Sequence, residues 1–143
     1  TDGIGSSEAG AQGMNVATLR GGISTGDFAP AAGSVVVSED RTRLLEPGRD
    51  ELGWFAMTGN VPLGYLGDPE KTARTFPTLD GRRYSVPGDR ARWLADGRIE
   101  VLGRDSVTIN SGGEKIFAEE VEAALKAHSD VFDVVVAGRP SAR

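Results

Sequence analysis

Apolar residues along this chain come in short bursts set between glycine-rich polar stretches, and the period within each burst predicts its element. Ser34-Val35-Val36-Val37-Ser38 is a β-branched run bounded by turn residues; it predicts a buried strand, with a turn at Pro47-Gly48 after it. From Asp68 to Phe76 a short helix is expected: Asp68 is its N-cap, Pro69 its first helical residue and Glu70 an acid in the first turn, and Pro77 stops it. Asp80-Gly81 and Asp96-Gly97 each predict a two-residue hairpin turn, because both dipeptides accept positive φ. Beyond the second, Ile99 and Val101 alternate with Glu100, which turns one face of a strand inward.

After Arg104-Asp105 the pattern changes. Val107-Thr108-Ile109 and Lys115-Ile116 flank a hairpin-like loop at Asn110-Ser111-Gly112-Gly113-Glu114. A helix is expected from about Phe117 to Ala127, with Phe117, Val121, Ala124 and Leu125 on one face and Glu119, Glu120 and Glu122 near its positive N-terminal end. Val131 to Val136 predicts a further strand, which leaves a β-α-β unit half built. At the other end, Asp2 to Gly10 is small, polar and glycine-dense and reads as a loop whose backbone approaches some other group closely, with more loop from Gly21 to Gly33.

Composition narrows the class. Glycine supplies 20 of 143 residues, about twice the usual share of roughly 7%, so tight turns are many and an all-β or turn-rich α+β fold is favoured. A net charge of -5 and a pI of about 4.9 leave no concentrated basic face for nucleic acid or an anionic membrane. No apolar run approaches the roughly 18 residues of a spanning helix, and no leader-like segment opens the chain, so a soluble, cytoplasmic protein is expected. The absence of cysteine removes disulfides, thiolate zinc sites and thiol nucleophiles together, and His128 as the single histidine leaves no imidazole cluster.

Several chemistries are excluded in turn. There is no G-x-x-x-x-G-K-[ST] run, and the loop at Ser111 to Lys115 has a lysine without the spacing or the following hydroxyl. Gly3-Ile4-Gly5 meets Glu8 where a dinucleotide fingerprint needs its last glycine, and Gly5-Ser6-Ser7-Glu8-Ala9-Gly10 is one residue too long for a nucleophile elbow. A Ser-His-Asp triad has only His128 to draw on, and the acidic residues scatter over turns instead of forming a glycosidase pair.

Three separated clusters remain: Gly5-Ser6-Ser7-Glu8, Pro87-Gly88-Asp89 after Tyr84, and Leu102-Gly103-Arg104-Asp105 followed by Asn110 to Glu122. Taken singly each is weak, but chance matches would have to fall in order over the full chain. Together they resemble the adenylate-forming (ANL) enzymes, most closely the acyl-CoA synthetase or fatty-acid-CoA ligase branch, in its C-terminal portion. Gly64-Tyr65 with the Asp68 to Phe76 helix, and Gly113-Glu114-Lys115-Ile116 with Glu120-Val121-Glu122, extend the likeness.

The resemblance implies an α+β fold: residues 1–104 form the distal, distorted antiparallel β-barrel-like part of a large adenylating domain, and residues 105–143 begin a small α+β lid, left incomplete. It implies that a carboxylic acid attacks ATP to give an acyl-adenylate, and that coenzyme A then displaces AMP. In that scheme Glu8 would hold Mg²⁺, a hard ion suited to carboxylate and phosphate oxygens, and Ser7 would keep a hydroxyl contact to phosphate. Gly5 and Ser6 would line the nucleotide, and Ile4 stands where the family usually has an aromatic ring against adenine. Asp89 would accept hydrogen bonds from the ribose hydroxyls, and Arg104 would reach ribose or phosphate with its fork of donors. Asp105 would be the hinge of the lid, and Gly112, Gly113 and Lys115 would face coenzyme A in the thioester-forming state.

In the family a phosphate loop precedes the part matched by Thr1 and a catalytic lysine follows the part matched by Arg143, so the chain by itself is expected to be inactive. Two alternatives stand beside it: an adenylation enzyme that hands its acyl group to a carrier protein or oxidises it, whose first half-reaction shares Glu8, Asp89 and Arg104, and a non-catalytic interaction fragment. Neither the identity of the acid nor the oligomeric state is legible.

Overall fold

The computed structural model describes residues 2–8, 10–15 and 27–139. Along the chain these form β1 (Asp2–Ser6), β2 (Gly10–Asn15), β3 (Asp27–Pro30), β4 (Ser34–Ser38), β5 (Gly53–Met57), α1 (Pro69–Thr75), β6 (Thr78–Leu79), β7 (Arg82–Arg83), β8 (Asp89–Trp93), β9 (Ile99–Arg104), a 3-10 turn at Asp105–Val107, β10 (Ile109–Ser111), β11 (Glu114–Ile116) and α2 (Ala118–Lys126). Two compact units emerge, Thr1–Val101 and Leu102–Arg143. No helix among the described residues is long and apolar enough to cross a membrane.

The first unit is built on a seven-stranded sheet in the order β1-β2-β3-β9-β8-β5-β4, with antiparallel pairing between β1 and β2, β2 and β3, β3 and β9, β5 and β8, and β4 and β5. The α+β class expected from the sequence is therefore present, and the barrel-like subdomain takes the form of an open antiparallel sheet. At one edge of this sheet lies the β4–β5 pair, in which Val35, Val36 and Val37 lie opposite Ala56, Phe55 and Trp54. Alternation sends these side chains to two faces. Val37, Trp54, Ala56, Leu79, Tyr84 and Val86 make one apolar cluster, and Val36, Leu45, Phe55, Ala91 and Ile99 make the other. A strand buried on both faces needs a continuous apolar run, which is why Val35 to Val37 shows no polar alternation.

Helix α1 begins as its sequence dictates: the Asp68 side chain accepts a hydrogen bond from the Lys71 amide, Pro69 occupies the first turn, and the Phe76 amide closes the end on the Thr72 carbonyl. The Asp80-Gly81 hairpin also has the expected turn, with φ of 49° and 75° at its two residues.

Elsewhere the structure corrects the sequence reading. Asp2 to Gly10 is not a loop but the β1–β2 hairpin, with a register shift between Ile4 and Gly5; backbone pairing needs no apolar side chains, so composition conceals it. Part of the stretch from Gly21 to Gly33 is strand β3, and residues 21–26 lie outside the described residues. The Asp96-Gly97 turn has three residues, not two. Leu94 donates to the Arg98 carbonyl at 2.8 Å and Gly97 to the Leu94 carbonyl at 3.1 Å, while the Asp96 carboxylate accepts from the Arg98 amide at 3.1 Å and pairs with its guanidinium at 2.7 Å. Only Gly97 of that loop has positive φ.

In the second unit β10 and β11 pair as a tight hairpin, Ile109 opposite Ile116, and Gly112 and Gly113 both adopt positive φ (61° and 97°) at its two-residue turn. The flanking loop expected at Asn110 to Glu114 is thus mostly strand. Helix α2 falls where its periodicity places it, with Glu119 and Glu120 in the first turn. Val131 to Val136, however, forms no strand. Glu122 accepts a hydrogen bond from the Val136 amide at 2.8 Å, and Lys126 pairs with Asp133 at 2.8 Å, so side chains of α2 hold this segment where a backbone ladder was expected. β-propensity alone does not make a strand without a neighbour to accept its amides.

A testable consequence concerns Gly53, at the junction of β4, β5 and β8. A methyl group there would meet the Val37 carbonyl oxygen at 2.1 Å and the Leu45 side chain at 2.9 Å. Gly53→Ala is therefore expected to destabilise the chain by roughly 3 kcal/mol, against about 1 kcal/mol for Asp68→Ala at the N-cap of α1, both read by urea unfolding.

Candidate functional site

Of the residues singled out from sequence, Gly5 and Ser6 close β1, and Ser7 and Glu8 form the turn leading to β2. Gly5 and Ser7 are exposed, and Ser6 and Glu8 are half-buried. The Ile4 side chain lies outside the described part of the molecule. Glu8 is engaged across 57 residues of sequence: the Tyr65 hydroxyl donates to Glu8 Oε1 at 2.9 Å.

Tyr65 is held by α1. Its amide donates to Thr72 Oγ1 at 2.8 Å, its ring lies 5.5 Å from that of Phe76, and Lys71 Nζ sits 4.0 Å above it. Burial raises the pKa of the Tyr65 phenol above its usual 10.0, and the Glu8 carboxylate adds to this by accepting its proton and by its charge; a hydrogen bond from Thr75 acts in the opposite sense. The phenol therefore remains a donor to Glu8 throughout the neutral range.

Asp89 opens β8 and is buried. Glu8 and Asp89 share the first unit, and the connection between them runs through α1: Glu8 to Tyr65, Tyr65 to the helix, and the Thr75 carbonyl to the Val86 amide at 2.8 Å, three residues before Asp89. Arg104, Asp105, Gly112, Gly113 and Lys115 belong to the second unit. There Lys115 Nζ lies 3.9 Å from Asp105 Oδ1, an exposed pairing, and Gly112 and Gly113 stand at an exposed turn with open space where a side chain would project.

Next to Asp89 is a group the sequence did not single out. Arg90 is fully buried, its guanidinium 4.2 Å from the centre of the Trp54 ring and its Nη2 2.5 Å from Glu39 Oε2. The Trp54 indole in turn donates to the Glu39 carbonyl at 2.9 Å, and Arg41 approaches the same ring at 4.6 Å. Burying a guanidinium is costly, and the ion pair and ring contact offset that cost. The sequence gives no sign of it, because Arg90 lies between Asp89 and Ala91 in a strand that also carries Arg92. Tyr65 likewise gave no hint of its partner, because no periodicity links positions 8 and 65. A shallow groove of about 280 Å³ beside Asp50, Arg92 and Trp93 includes none of the candidate residues.

Among the described residues no group of three or more His, Cys, Asp or Glu could hold a metal ion by itself. A single oriented carboxylate such as Glu8 nevertheless suits Mg²⁺, which commonly takes one or two protein carboxylates and completes its shell with water and substrate phosphates.

No protein-family model matches the chain. It is 60% identical over 142 residues to the medium-chain acyl-CoA ligase Mig of Mycobacterium avium, covering 99% of this chain and 26% of that protein. It is 49% identical over 143 residues to the 3-oxocholest-4-en-26-oate–CoA ligase of Rhodococcus rhodochrous, again covering 26% of the relative. The chain thus spans about a quarter of the length of the curated relatives it matches. Among solved structures it is similar to an ATP-bound RpMatB-BxBclM chimera, with a TM-score of 0.75 and 27% identity over 96% of this chain and 27% of that one.

The Tyr65–Glu8 contact can be measured directly. In a Tyr84→Phe background, ultraviolet titration should show Tyr65 ionising above pH 10, and Glu8→Gln should lower that midpoint by removing the charge. The return is partial because burial, the larger cause, remains; an unchanged midpoint would mean that the two side chains do not meet.

Proposed function

We propose, for a chain that belongs to the acyl-CoA ligase branch of the adenylate-forming enzymes, that it supplies part of the nucleotide site of an AMP-forming acid–thiol ligase acting on a fatty or related carboxylic acid. In the first step a carboxylate oxygen attacks the α-phosphorus of ATP and pyrophosphate leaves, giving an acyl-adenylate. In the second the thiol sulfur of coenzyme A attacks the acyl carbon, and AMP departs with the bonding electron pair. The observation that carries this reading is the unbroken likeness of nearly the whole chain to acyl-CoA ligases. The engagement of Glu8 within the same compact unit as Asp89 supports it.

Each residue has a role in this scheme that its chemistry permits. Glu8 would hold Mg²⁺, whose bound charge offsets that of the phosphates, and Ser7 would offer its hydroxyl to a phosphate oxygen. Gly5 and Ser6, with Ile4, would run alongside the nucleotide. Asp89 would accept from the ribose hydroxyls; a carboxylate largely screened from water makes stronger hydrogen bonds than an exposed one. Arg104 would donate to ribose or phosphate, Asp105 would serve as the hinge between residues 1–104 and 105–143, and Gly112, Gly113 and Lys115 would meet coenzyme A in the second half-reaction. The ligands are small molecules, with the cytoplasm as the setting.

Two measurements test the reading. Purified alone, the chain is expected to give no ATP–pyrophosphate exchange, and a positive result would contradict the division of labour proposed. In the full-length enzyme, Asp89→Ala is expected to raise the KM for ATP by about 10- to 100-fold, the loss of roughly 1.5–3 kcal/mol of charge-assisted hydrogen bonding. Product analysis with and without coenzyme A separates a CoA ligase from an enzyme that loads a carrier protein.

A further inference from the structure

Leu63, Tyr65 and Leu66 are the large side chains of the segment that leads into α1, and they part company sharply. Leu63 and Leu66 are 92% and 106% exposed, while Tyr65 turns inward between Phe76 and Lys71. Apolar burial of the leucines therefore does not hold the segment; the tyrosine and its backbone do. Its amide is taken by Thr72 Oγ1, and its carbonyl accepts from the Asp68 amide at 3.3 Å. A phenylalanine would fill the same ring contacts. What the hydroxyl adds is a bond to Glu8 Oε1 at 2.9 Å.

Glu8 needs such a restraint. It sits at a two-stranded hairpin turn, half-buried, on a side chain with three rotatable bonds. A hydrogen bond to one carboxylate oxygen selects a rotamer and fixes the plane of the group. Because an ionised oxygen has two lone-pair directions, accepting from Tyr65 leaves the carboxylate able to act as a ligand. The donor lies on the segment before α1, and its amide is tied to Thr72 of that helix, which carries a side-chain N-cap.

We propose that Tyr65 is a positioning residue for Glu8, orienting its carboxylate toward a phosphate-bound divalent cation. The inference rests on the reading of Glu8 as the Mg²⁺ ligand. Tyr65 then acts as the outer partner that a ligating carboxylate requires, and loss of such a partner typically weakens metal affinity 10- to 100-fold.

The test uses the full-length enzyme with Tyr65→Phe and Glu8→Gln. Tyr65→Phe is expected to raise the Mg²⁺ concentration for half-maximal pyrophosphate exchange about tenfold while kcat at saturating Mg²⁺ stays within about twofold. Electron paramagnetic resonance titration of Mn²⁺ in the presence of ATP should show the same weakening without turnover. The unfolding midpoint should move little, because the ring contacts survive. Unchanged Mg²⁺ requirement and Mn²⁺ affinity in a folded Tyr65→Phe protein would overturn the positioning role. If Glu8→Gln still abolishes metal binding in that case, only the role of Tyr65 fails; if Glu8→Gln is silent too, the metal reading of Glu8 falls with it.

Discussion

The β4–β5 pair is apolar on both faces, and everything in the first unit is placed by reference to it. Its register is set by Gly53, the one residue small enough to lie against the Val37 carbonyl. With that register, Val36 and Phe55 reach one cluster while Val37, Trp54 and Ala56 reach the other. β5 then pairs with β8 through Gly53 opposite Ala91 and Trp54 opposite Arg90, which fixes the start of β8 and so the backbone position of Asp89. The same strand reaches α1 by another route: Met57 exchanges backbone hydrogen bonds with Ser85, and Val86 bonds to the Thr75 carbonyl.

The candidate residues stand at the margins of this frame and not within it. Glu8 is on a turn and Asp89 at the first position of a strand, where a side chain can face a ligand while its backbone is held by the sheet. Glu8 is met by Tyr65 on the segment before α1, and the residue that follows Asp89 in β8 is the buried Arg90, locked between Trp54 and Glu39. The Tyr65 bond ties the β1–β2 turn to the segment before α1.

The second unit shows what a helix does with little to pack against. α2 has an acidic first turn and helical periodicity but no side-chain N-cap bond, and Ala124 and Leu125 on its apolar stripe are exposed. Val131 to Val136 has the composition of a strand and is instead tethered by Glu122 and Lys126, with Phe132 and Val135 turned to solvent. Apolar area unmatched by a partner surface lends a fold little stability.

The sequence by itself determined those features whose physics is local. The Asp68 cap, the Pro69 start, the left-handed Asp80-Gly81 turn and the helical period of α2 each need only residues a few positions apart, and each was legible. So was the family, because short polar clusters kept their order and chemistry. What tertiary structure alone decided involves partners far apart in the chain. The β1–β2 hairpin forms from glycine-rich segments because each strand supplies the other's hydrogen bonds, the partner of β4 is chosen by the register it makes with β5, and the Val131 to Val136 run stays irregular, held by side chains of α2. Tyr65 meets Glu8 only because α1 is packed where the sheet puts it, and no local rule relates those two positions: hydrogen bonds between distant side chains are fixed by the path of the folded backbone, which no short window of sequence encodes.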